Sequence, residues 1–502
     1  MRKIIQIFLL SLLFLPQALF GQKKKDKIQL LRADILIGRG KLRVLKGNVL
    51  FKQDETLMYT DSAYFYPKEN ALDAFGNVRI VQPDGSTITS RKLFYNGDTR
   101  LAKFRNKVIL KNKTSTVYTE ALDYNLADKT AQYANGATIL NPPNTLTSKH
   151  GFFDSNTSTF DFKEDVKVVN PEDSFTIFSE HLLYNTDTKV ATFLSPSTII
   201  TKGDTVHAQS GTYNTTSNQT VLASSKIISG DYIISGNTID YNKVTDRGTV
   251  TGNVKMTSSK DSIIILGDKA IHRGDLGFTK VFGNAVMIKA NAGGDTLYLS
   301  ADTLVSVDKE KTTGEKKLLA YFNSKIFKEG LQAITDSLVY DFGDSSIYFY
   351  KKPVLWNQAN QISADSIRIQ LANGQIDKMY LNENCFLISE DSLKNFNQVK
   401  GRNMVAYFVD DTLRKVTVDG NSESIYFALE GDTALTGMNK VEASNMLILF
   451  KNNELSTISF IKNPEGVFTP PHLILKPDTQ LKGFKWLIER RPTKAEVLKQ
   501  KM

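Results

Sequence analysis

The residue types that most often carry catalysis are few in this sequence and show no catalytic spacing. The five histidines lie at positions 150, 181, 207, 272 and 472, so none of them forms the i, i+4 pair of a helical zinc site. No serine-hydrolase elbow, phosphate-binding loop or dinucleotide-binding fingerprint occurs. We therefore expect no catalytic residue, no metal and no cofactor. One enzymatic alternative stays open, because a β scaffold can pair carboxylates from neighbouring strands for polysaccharide cleavage.

The single cysteine, Cys385, cannot form an intrachain disulfide. Stability must then come from apolar burial and backbone hydrogen bonds rather than from covalent cross-links. We expect the Cys385 side chain to be a small buried apolar group, which is the usual role of a free cysteine.

The N-terminus has the pattern of a secretory signal peptide. Met1, Arg2 and Lys3 form a basic start, and a mostly apolar stretch of residues 4–20 follows before Gly21. We expect residues 1–21 to be removed and the mature protein to be secreted. No later apolar run reaches 18 residues, so the mature chain is not expected to span a membrane by helices. The net charge of +10 suits an acidic partner, but secretion argues against nucleic acid.

A repeated pattern runs along most of the chain. Well-matched copies occupy residues 60–80, 88–110, 118–140, 148–169, 179–200, 208–228, 235–256, 267–288 and 335–356. With weaker copies, the array has about fourteen units of roughly 30 residues, a length typical of solenoid-like arrays.

Each unit begins with alternating apolar and polar residues. In Leu122-Asp123-Tyr124, the first and third side chains are apolar and the second is charged. A period of two places alternate side chains on opposite faces, which predicts a half-buried strand. A turn rich in Asn, Gly and Asp follows, as in Asn96-Gly97-Asp98, and predicts a hairpin.

The second strand of a unit carries Gly-Asn or a close relative in its middle. Gly76-Asn77-Val78 and Gly252-Asn253-Val254 are clear examples, and Asn106-Lys107-Val108 is a variant. A glycine inside a strand indicates a bulge or a sharp bend. The bend lets each strand pass from one sheet to a facing one. The sequence therefore predicts an all-β fold, an antiparallel meander with two walls, an apolar interior and unpaired strands at both ends.

The repeats divide the mature chain into three parts. Residues 22–290 carry the clearest units, and residues 291–463 carry longer and more divergent ones. In residues 464–502, Pro470-Pro471 breaks the pattern and a short basic helix is predicted from residue 494. This last segment is predicted to be either a cap over the final strands or a docking tail.

The secreted chain and its repeated units resemble the LptA/OstA family of periplasmic lipopolysaccharide-transport proteins. The motif that carries the resemblance is Thr60-Asp61-Ser62-Ala63-Tyr64 with Ala74-Phe75-Gly76-Asn77-Val78, repeated around Asp240-Tyr241 with Gly252-Asn253-Val254. The resemblance is best over residues 30–290. It implies a long folded-over antiparallel β-jellyroll whose apolar groove holds the acyl chains of lipopolysaccharide, that is, of its lipid A part. It also implies end-to-end strand pairing with similar β-jellyroll domains of inner- and outer-membrane transport proteins.

The chain is longer than a minimal bridge protein of that family, and its uniform repeats do not suggest the outer-membrane barrel of the larger members. The resemblance thus implies an enlarged periplasmic bridge, associated with outer-membrane assembly, that is not an enzyme. On this hypothesis the inward positions line the groove, namely Phe65, Leu93, Tyr95, Leu122, Tyr124, Phe153, Leu182, Tyr184, Tyr213, Ile239 and Tyr241.

The sequence leaves two alternatives open, one about the interior and one about the function. Alternation reports which side chains point inward, but it does not distinguish an open groove from a closed core. A second class of function also suits a long secreted β stack: a structural or adhesive envelope protein that pairs its edges with neighbours or with further copies of itself.

Overall fold

The structure is a computed structural model that describes residues 27–290, 294–309, 313, 315–431, 433–451 and 454–498, without the side chains of residues 309, 315, 454 and 455. The predicted signal peptide lies outside these residues. Within them, 36 strands are joined by antiparallel pairings, which confirms the predicted all-β class. The number of repeats stays a prediction. None of the helices in the described ranges is long and apolar enough to cross a membrane.

Within the described residues the chain forms two compact units, residues 27–142 with 149–156 and residues 143–148 with 157–498. The strands of the first unit are β1 (Gln29–Arg32), β2 (Ile35–Arg39), β3 (Leu42–Gln53), β4 (Thr56–Tyr66), β5 (Ala71–Val81), β6 (Thr87–Asn96), β7 (Leu101–Lys111), β8 (Thr116–Asn125), β9 (Thr130–Tyr133), β10 (Ala137–Asn141) and β12 (His150–Asp154).

The strands of the second unit are β11 (Asn144–Ser148), β13 (Thr159–Asn170), β14 (Phe175–Asn185), β15 (Val190–Phe193), β16 (Ser197–Ile200), β17 (Asp204–Ala208), β18 (Ser210–Asn214), β19 (Gln219–Ser229), β20 (Tyr232–Asn242), β21 (Arg247–Ser258), β22 (Ile263–Arg273), β23 (Phe278–Ala290), β24 (Thr296–Lys309), β25 (Glu315–Lys328), β26 (Leu331–Asp341), β27 (Ser346–Tyr350), β28 (Val354–Asn357), β29 (Asn360–Ser363), β30 (Ser366–Ala372), β31 (Gln375–Glu390), β32 (Phe396–Val409), β33 (Thr412–Glu430), β34 (Ala434–Lys451), β35 (Glu454–Ile461) and β36 (Glu465–Thr469). Short 3-10 turns at Gly274–Leu276, Pro471–Leu473, Lys476–Thr479 and Ile488–Arg490, and the helix α1 (Lys494–Leu498), complete the unit.

The long strands turn a corner near their middle. In the first unit, Gly47 and Asn48 have φ values of +71° and +45°, and the register of β3 with β4 shifts between Lys46 and Val49. Two residues of β3 thus face one residue of β4, which confirms the bulge predicted at the Gly-Asn motif. In the second unit, Gly252-Asn253 and Gly283-Asn284 have similar positive φ values and also coincide with register shifts.

The corner gives each strand two arms, and the arms form two walls. In the first unit, wall A contains residues 43–46, 62–66, 71–75 and 92–96, and wall B contains residues 49–53, 56–60, 78–81 and 87–90, with the arms of later strands in register. The rings of Phe65 on wall A and Phe51 on wall B have centroids 5.3 Å apart. Their contact shows that the two walls face each other across an apolar interior.

The second unit has the same construction. Its wall A contains the arms in register with residues 211–214, and its wall B contains those in register with residues 175–179. The rings of Tyr213 on wall A and Phe175 on wall B meet edge to face with centroids 5.1 Å apart. A continuous apolar cluster from Ile239 to Phe450 fills the space between the walls.

The C-terminal segment lies on the outer face of wall B of the second unit. Leu387 belongs to the interior cluster, whereas its neighbours Phe386 and Ile388 point outward. Phe386 and Ile388 pack with Leu481, and Phe484 and Trp486 of the segment contact the same cluster. Wall B is therefore covered on both faces at this level, by the interior core and by the chain's own C-terminal segment.

Candidate functional site

In each unit, the predicted groove residues point inward from wall A of that unit. In the first unit, the register sets Leu93 opposite Phe104 and then Leu122, and Tyr95 opposite Ala102 and then Tyr124. Ten of the eleven residues are at most 5% exposed, and Tyr241 is half-buried; the ten are Phe65, Leu93, Tyr95, Leu122, Tyr124, Phe153, Leu182, Tyr184, Tyr213 and Ile239. In the conformation seen here, a ligand could reach the ten only after the walls separate.

Neutral amides join the walls of the first unit at the mouth, by which we mean the side of the interior opposite the corners. The Tyr95 hydroxyl of wall A donates to Gln53 Oε1 of wall B at 2.6 Å, and the Tyr124 hydroxyl donates to Gln82 Oε1 at 3.3 Å. Burial raises the pKa of Tyr95 to about 12, so its hydroxyl stays a donor at neutral pH. An ion pair between Arg100 and Asp54 spans the same side at the surface.

The mouth of the second unit begins with neutral contacts as well. Asn144 Nδ2 donates to the Tyr184 hydroxyl at 2.8 Å and lies 2.9 Å from Thr215 Oγ1. All three side chains are at most 2% exposed. This part of the interior is therefore closed by buried, uncharged hydrogen bonds, and separating the walls would leave further buried polar groups unpaired.

Farther along the second unit the interior is less well covered. Seven apolar side chains that pack against its core are only partly buried: Ile227, Ile234, Tyr241, Met256, Ile263, Ile265 and Leu297. Six of them belong to wall B, which the wall A prediction did not include. Alternation gave their orientation but not their exposure, because exposure depends on the distance between the walls. One local signal was Gly248, an inward position on wall A that has no side chain to cover its neighbours.

Lysines replace the neutral amides at this part of the mouth. Lys243 Nζ lies 3.2 Å from Asp204, and Lys316 Nζ lies 3.2 Å from Asp261. Burial favours the neutral forms of both partners in the second pair. The hydrogen bond and the opposite charge outweigh burial, so the pKa of Asp261 is lowered and that of Lys316 is raised.

Between these two ion pairs, the turns of each wall form hydrogen bonds or ion pairs with neighbouring turns of the same wall. On wall B, the carbonyl of Asp231 accepts hydrogen bonds from the Ser259 backbone and hydroxyl. On wall A, Asp275 pairs with Arg247 and Arg273. The part of the mouth over the partly exposed apolar residues is thus bounded at its two ends by ionic bridges. Between these bridges, charged turns line it on wall A and on wall B.

The titratable residues noted in the sequence occupy unrelated places. His181 Nε2 lies 2.8 Å from Asp161 on wall A, and His272 contacts Asp246 and Thr279. Within the described ranges, no three His, Cys, Asp or Glu side chains are grouped so that they could hold a metal ion. Cys385 is buried, as predicted, and burial raises the pKa of its thiol to about 12. A thiol that stays protonated at neutral pH is a poor nucleophile.

Part of the chain is similar to two known protein families. A family model described as OstA-like protein matches residues 25–177, and a second, described as lipopolysaccharide-assembly, LptC-related, matches residues 132–228. No curated protein gives a significant match to the chain. Together the two matches cover residues 25–228, and this part of the chain is similar to OstA-like proteins and to LptC-related lipopolysaccharide-assembly proteins.

Proposed function

We propose that this protein binds the acyl chains of lipopolysaccharide between its walls and conveys the lipid across the periplasm for outer-membrane assembly. The observation that carries the proposal is the partly exposed apolar stretch from Ile227 to Leu297, which joins the closed core of the second unit. Each methylene moved from water into such an interior gains about 0.8 kcal/mol. A chain of several methylenes therefore has a strong reason to stay between the walls while the sugar headgroup remains in water.

The stretch around Tyr241 is the proposed place of entry, and the buried inward row on wall A of the second unit is the proposed path beyond it. Opening that row requires the mouth contacts to separate. A neutral hydrogen bond contributes a net stabilisation of about 1 kcal/mol, so a lipid that replaces apolar contacts can offset the loss of a few of them. The lipid moves without any change in covalent bonding, so this function needs no catalytic residue, metal or cofactor.

The periplasm is the proposed location, because the matched family models describe OstA-like and lipopolysaccharide-assembly proteins and the N-terminus has a secretory pattern. The proposed partners are similar β-jellyroll domains of inner- and outer-membrane transport proteins, or a second copy, joined by end-to-end strand pairing. Leu36 and Ile37 on β2 are exposed, as are Val467 and Phe468 on β36. Apolar edge strands of this kind support strand addition.

Photo-crosslinking tests the lipid site directly. A photoreactive amino acid at Met256 or Tyr241 is expected to form an adduct with lipopolysaccharide during expression in cells. The control is Phe94, which is 40% exposed on the outer face of wall A, so its photoreactive replacement is at least as accessible but points away from the interior. Equal labelling at all three positions, or none at Met256 and Tyr241, would argue against a lipid between the walls.

The exposed apolar edges also suit the second candidate, a structural envelope protein that pairs with neighbours. Depletion of the protein separates the two functions. Loss of a conveyor is expected to stop newly made lipopolysaccharide from reaching the cell surface, which surface labelling measures. Loss of a scaffold is expected to leave that labelling unchanged.

A further inference from the structure

A cluster of two lysines and two aromatic rings occupies the mouth of the second unit. The rings of Tyr340 and Phe342 stack with centroids 4.3 Å apart and planes inclined by 23°. Lys289 Nζ lies 4.8 Å from the Tyr340 centroid and 5.2 Å from the Phe342 centroid, and Lys316 Nζ lies 5.9 Å from the Phe342 centroid. Lys289 and Tyr340 come from opposite walls, so the cluster bridges the mouth.

The two ammonium groups differ in how their charge is balanced. Lys316 Nζ is 3.2 Å from both carboxylate oxygens of Asp261. Lys289 Nζ donates to the hydroxyl of Tyr340 at 2.9 Å, and a phenol is neutral. The cation–π contacts hold the Lys289 ammonium in place without neutralising it. Lys289 is therefore a fixed positive charge at the edge of an apolar interior.

Lys289 is also adjacent to the partly exposed apolar stretch. It lies on the same face of β23 as the buried Met287, so its stem points between the walls. In the sheet it stands opposite Ile263 on one side and Leu297 on the other. Both neighbours belong to the partly buried set of the interior. An apolar surface with a cation at its outer limit is complementary to an amphiphile with an anionic head.

We propose that Lys289 and Lys316, held on the Tyr340–Phe342 stack, bind a phosphate monoester of the lipid headgroup while the acyl chains lie against Ile263 and Leu297. This inference rests on the proposed function and names the part of the lipid that this place recognises. Phosphate oxygens form charge-assisted hydrogen bonds with ammonium groups and can replace the Asp261 carboxylate on Lys316. Headgroup binding would then also release one of the ionic bridges that hold the walls together.

Binding of purified, bisphosphorylated lipid A tests the inference, with the same lipid after enzymatic removal of both phosphates as the comparison. The mature protein is expected to bind the phosphorylated lipid roughly tenfold more tightly. The Lys289→Gln/Lys316→Gln variant should lose this preference and bind the two lipids with equal affinity. Lys269→Gln is the matched control, because Lys269 Nζ also lies over a ring, that of Phe282, but on the outer face of wall A.

The possible outcomes distinguish failure of the phosphate site from failure of the proposed lipid binding. Equal binding of both lipids, with no effect of the double substitution, would overturn the phosphate site and leave the apolar site standing. Failure to bind either lipid would overturn both. Inorganic phosphate distinguishes the sources of the anion: it is expected not to displace the lipid at millimolar concentration, and tight binding of phosphate alone would contradict a lipid-headgroup site. Melting curves of each variant check that the fold is intact.

Discussion

At the scale of single residues, the structure explains why the repeat contains Asp followed, in the next strand, by Gly-Asn. Asn77 Nδ2 donates to Asp61 Oδ2 at 2.9 Å, and Asn284 makes the same bond to Asp268 at 3.0 Å. The glycine before Asn77 lies against that aspartate: a Cβ built on Gly76 would be 2.3 Å from Asp61 Oδ2. At Gly76 the motif therefore specifies a corner, because glycine adopts the positive φ without strain and leaves room for the aspartate side chain.

We predict that Gly76→Ala destabilises the first unit more than Gly85→Ala does. Both glycines have φ near +80°, at 80° and 85°, but a Cβ on Gly85 meets nothing within 4 Å. Gly85→Ala should cost about 1 kcal/mol of unfolding free energy from φ alone. Gly76→Ala should cost about 2–4 kcal/mol, because the aspartate must also move and its hydrogen bond with Asn77 is lost. Urea denaturation of the mature protein measures the difference.

A second substitution identifies the cause of the larger loss. Asp61→Ala removes the side chain that a Cβ at position 76 would strike, so Gly76→Ala should be less harmful in the Asp61→Ala background than in the wild type. A strictly additive double variant would show that the close approach of Asp61 contributes nothing and that only the backbone conformation matters.

The candidate site was only partly predictable from single residues. Period-two alternation correctly gave the inward orientation of residues such as Leu93 and Tyr184, because orientation is a local property of a strand. It did not reveal that these side chains are almost fully buried whereas Met256 and Ile265 are not. Exposure depends on how far apart two walls stand, and that distance is set by contacts between residues far apart in the sequence, such as Lys243 and Asp204.

At the scale of elements, the C-terminal segment is held by three buried glutamines on wall B. Gln361 Nε2 donates to the Lys485 carbonyl at 2.7 Å, and Gln361 Oε1 accepts from the Leu487 amide at 2.7 Å. Gln398 contacts the Thr479 carbonyl and the Leu481 amide in the same way, and Gln332 accepts from Arg491. These pairs are far apart in sequence, so neither the path of the segment nor the role of the glutamines could be derived from local pattern.

We predict that Gln361→Ala loosens this segment without unfolding the walls. The substitution removes two hydrogen bonds and leaves the Lys485 carbonyl and the Leu487 amide of the segment unpaired, which costs about 1–3 kcal/mol locally. Hydrogen exchange of the amides of residues 481–491 should accelerate, while exchange in β31 and β32 stays slow. Gln370→Ala is the control, because Gln370 is a partly exposed glutamine on β30 whose side chain contacts Tyr380 rather than the segment. Unchanged exchange in the Gln361→Ala variant would mean that apolar contacts alone hold the segment.

At the scale of the whole molecule, each end of the strand array presents an unpaired edge within the described residues. At one end β1 and β2 both pair with β3, and at the other β35 and β36 both pair with β34. Leu36 stands opposite the fully buried Leu45 and so lies on the inward face of β2, yet it is 53% exposed. The interior of the first unit is therefore open at β2, where a further strand with an apolar inner face would extend it.

We predict that Leu36→Lys weakens end-to-end association while leaving the fold intact. A lysine at an edge strand disfavours strand addition, because the added strand would have to cover its charge. Its effect on unfolding free energy should be small, since the leucine is already exposed. Val244→Lys, in a turn of the second unit with the valine 72% exposed, is the control for added charge. Sedimentation velocity over a range of concentrations should show less self-association for Leu36→Lys than for Val244→Lys. Equal association of the two variants would mean that β2 is not a joining edge, and the end-to-end arrangement would then need a different surface.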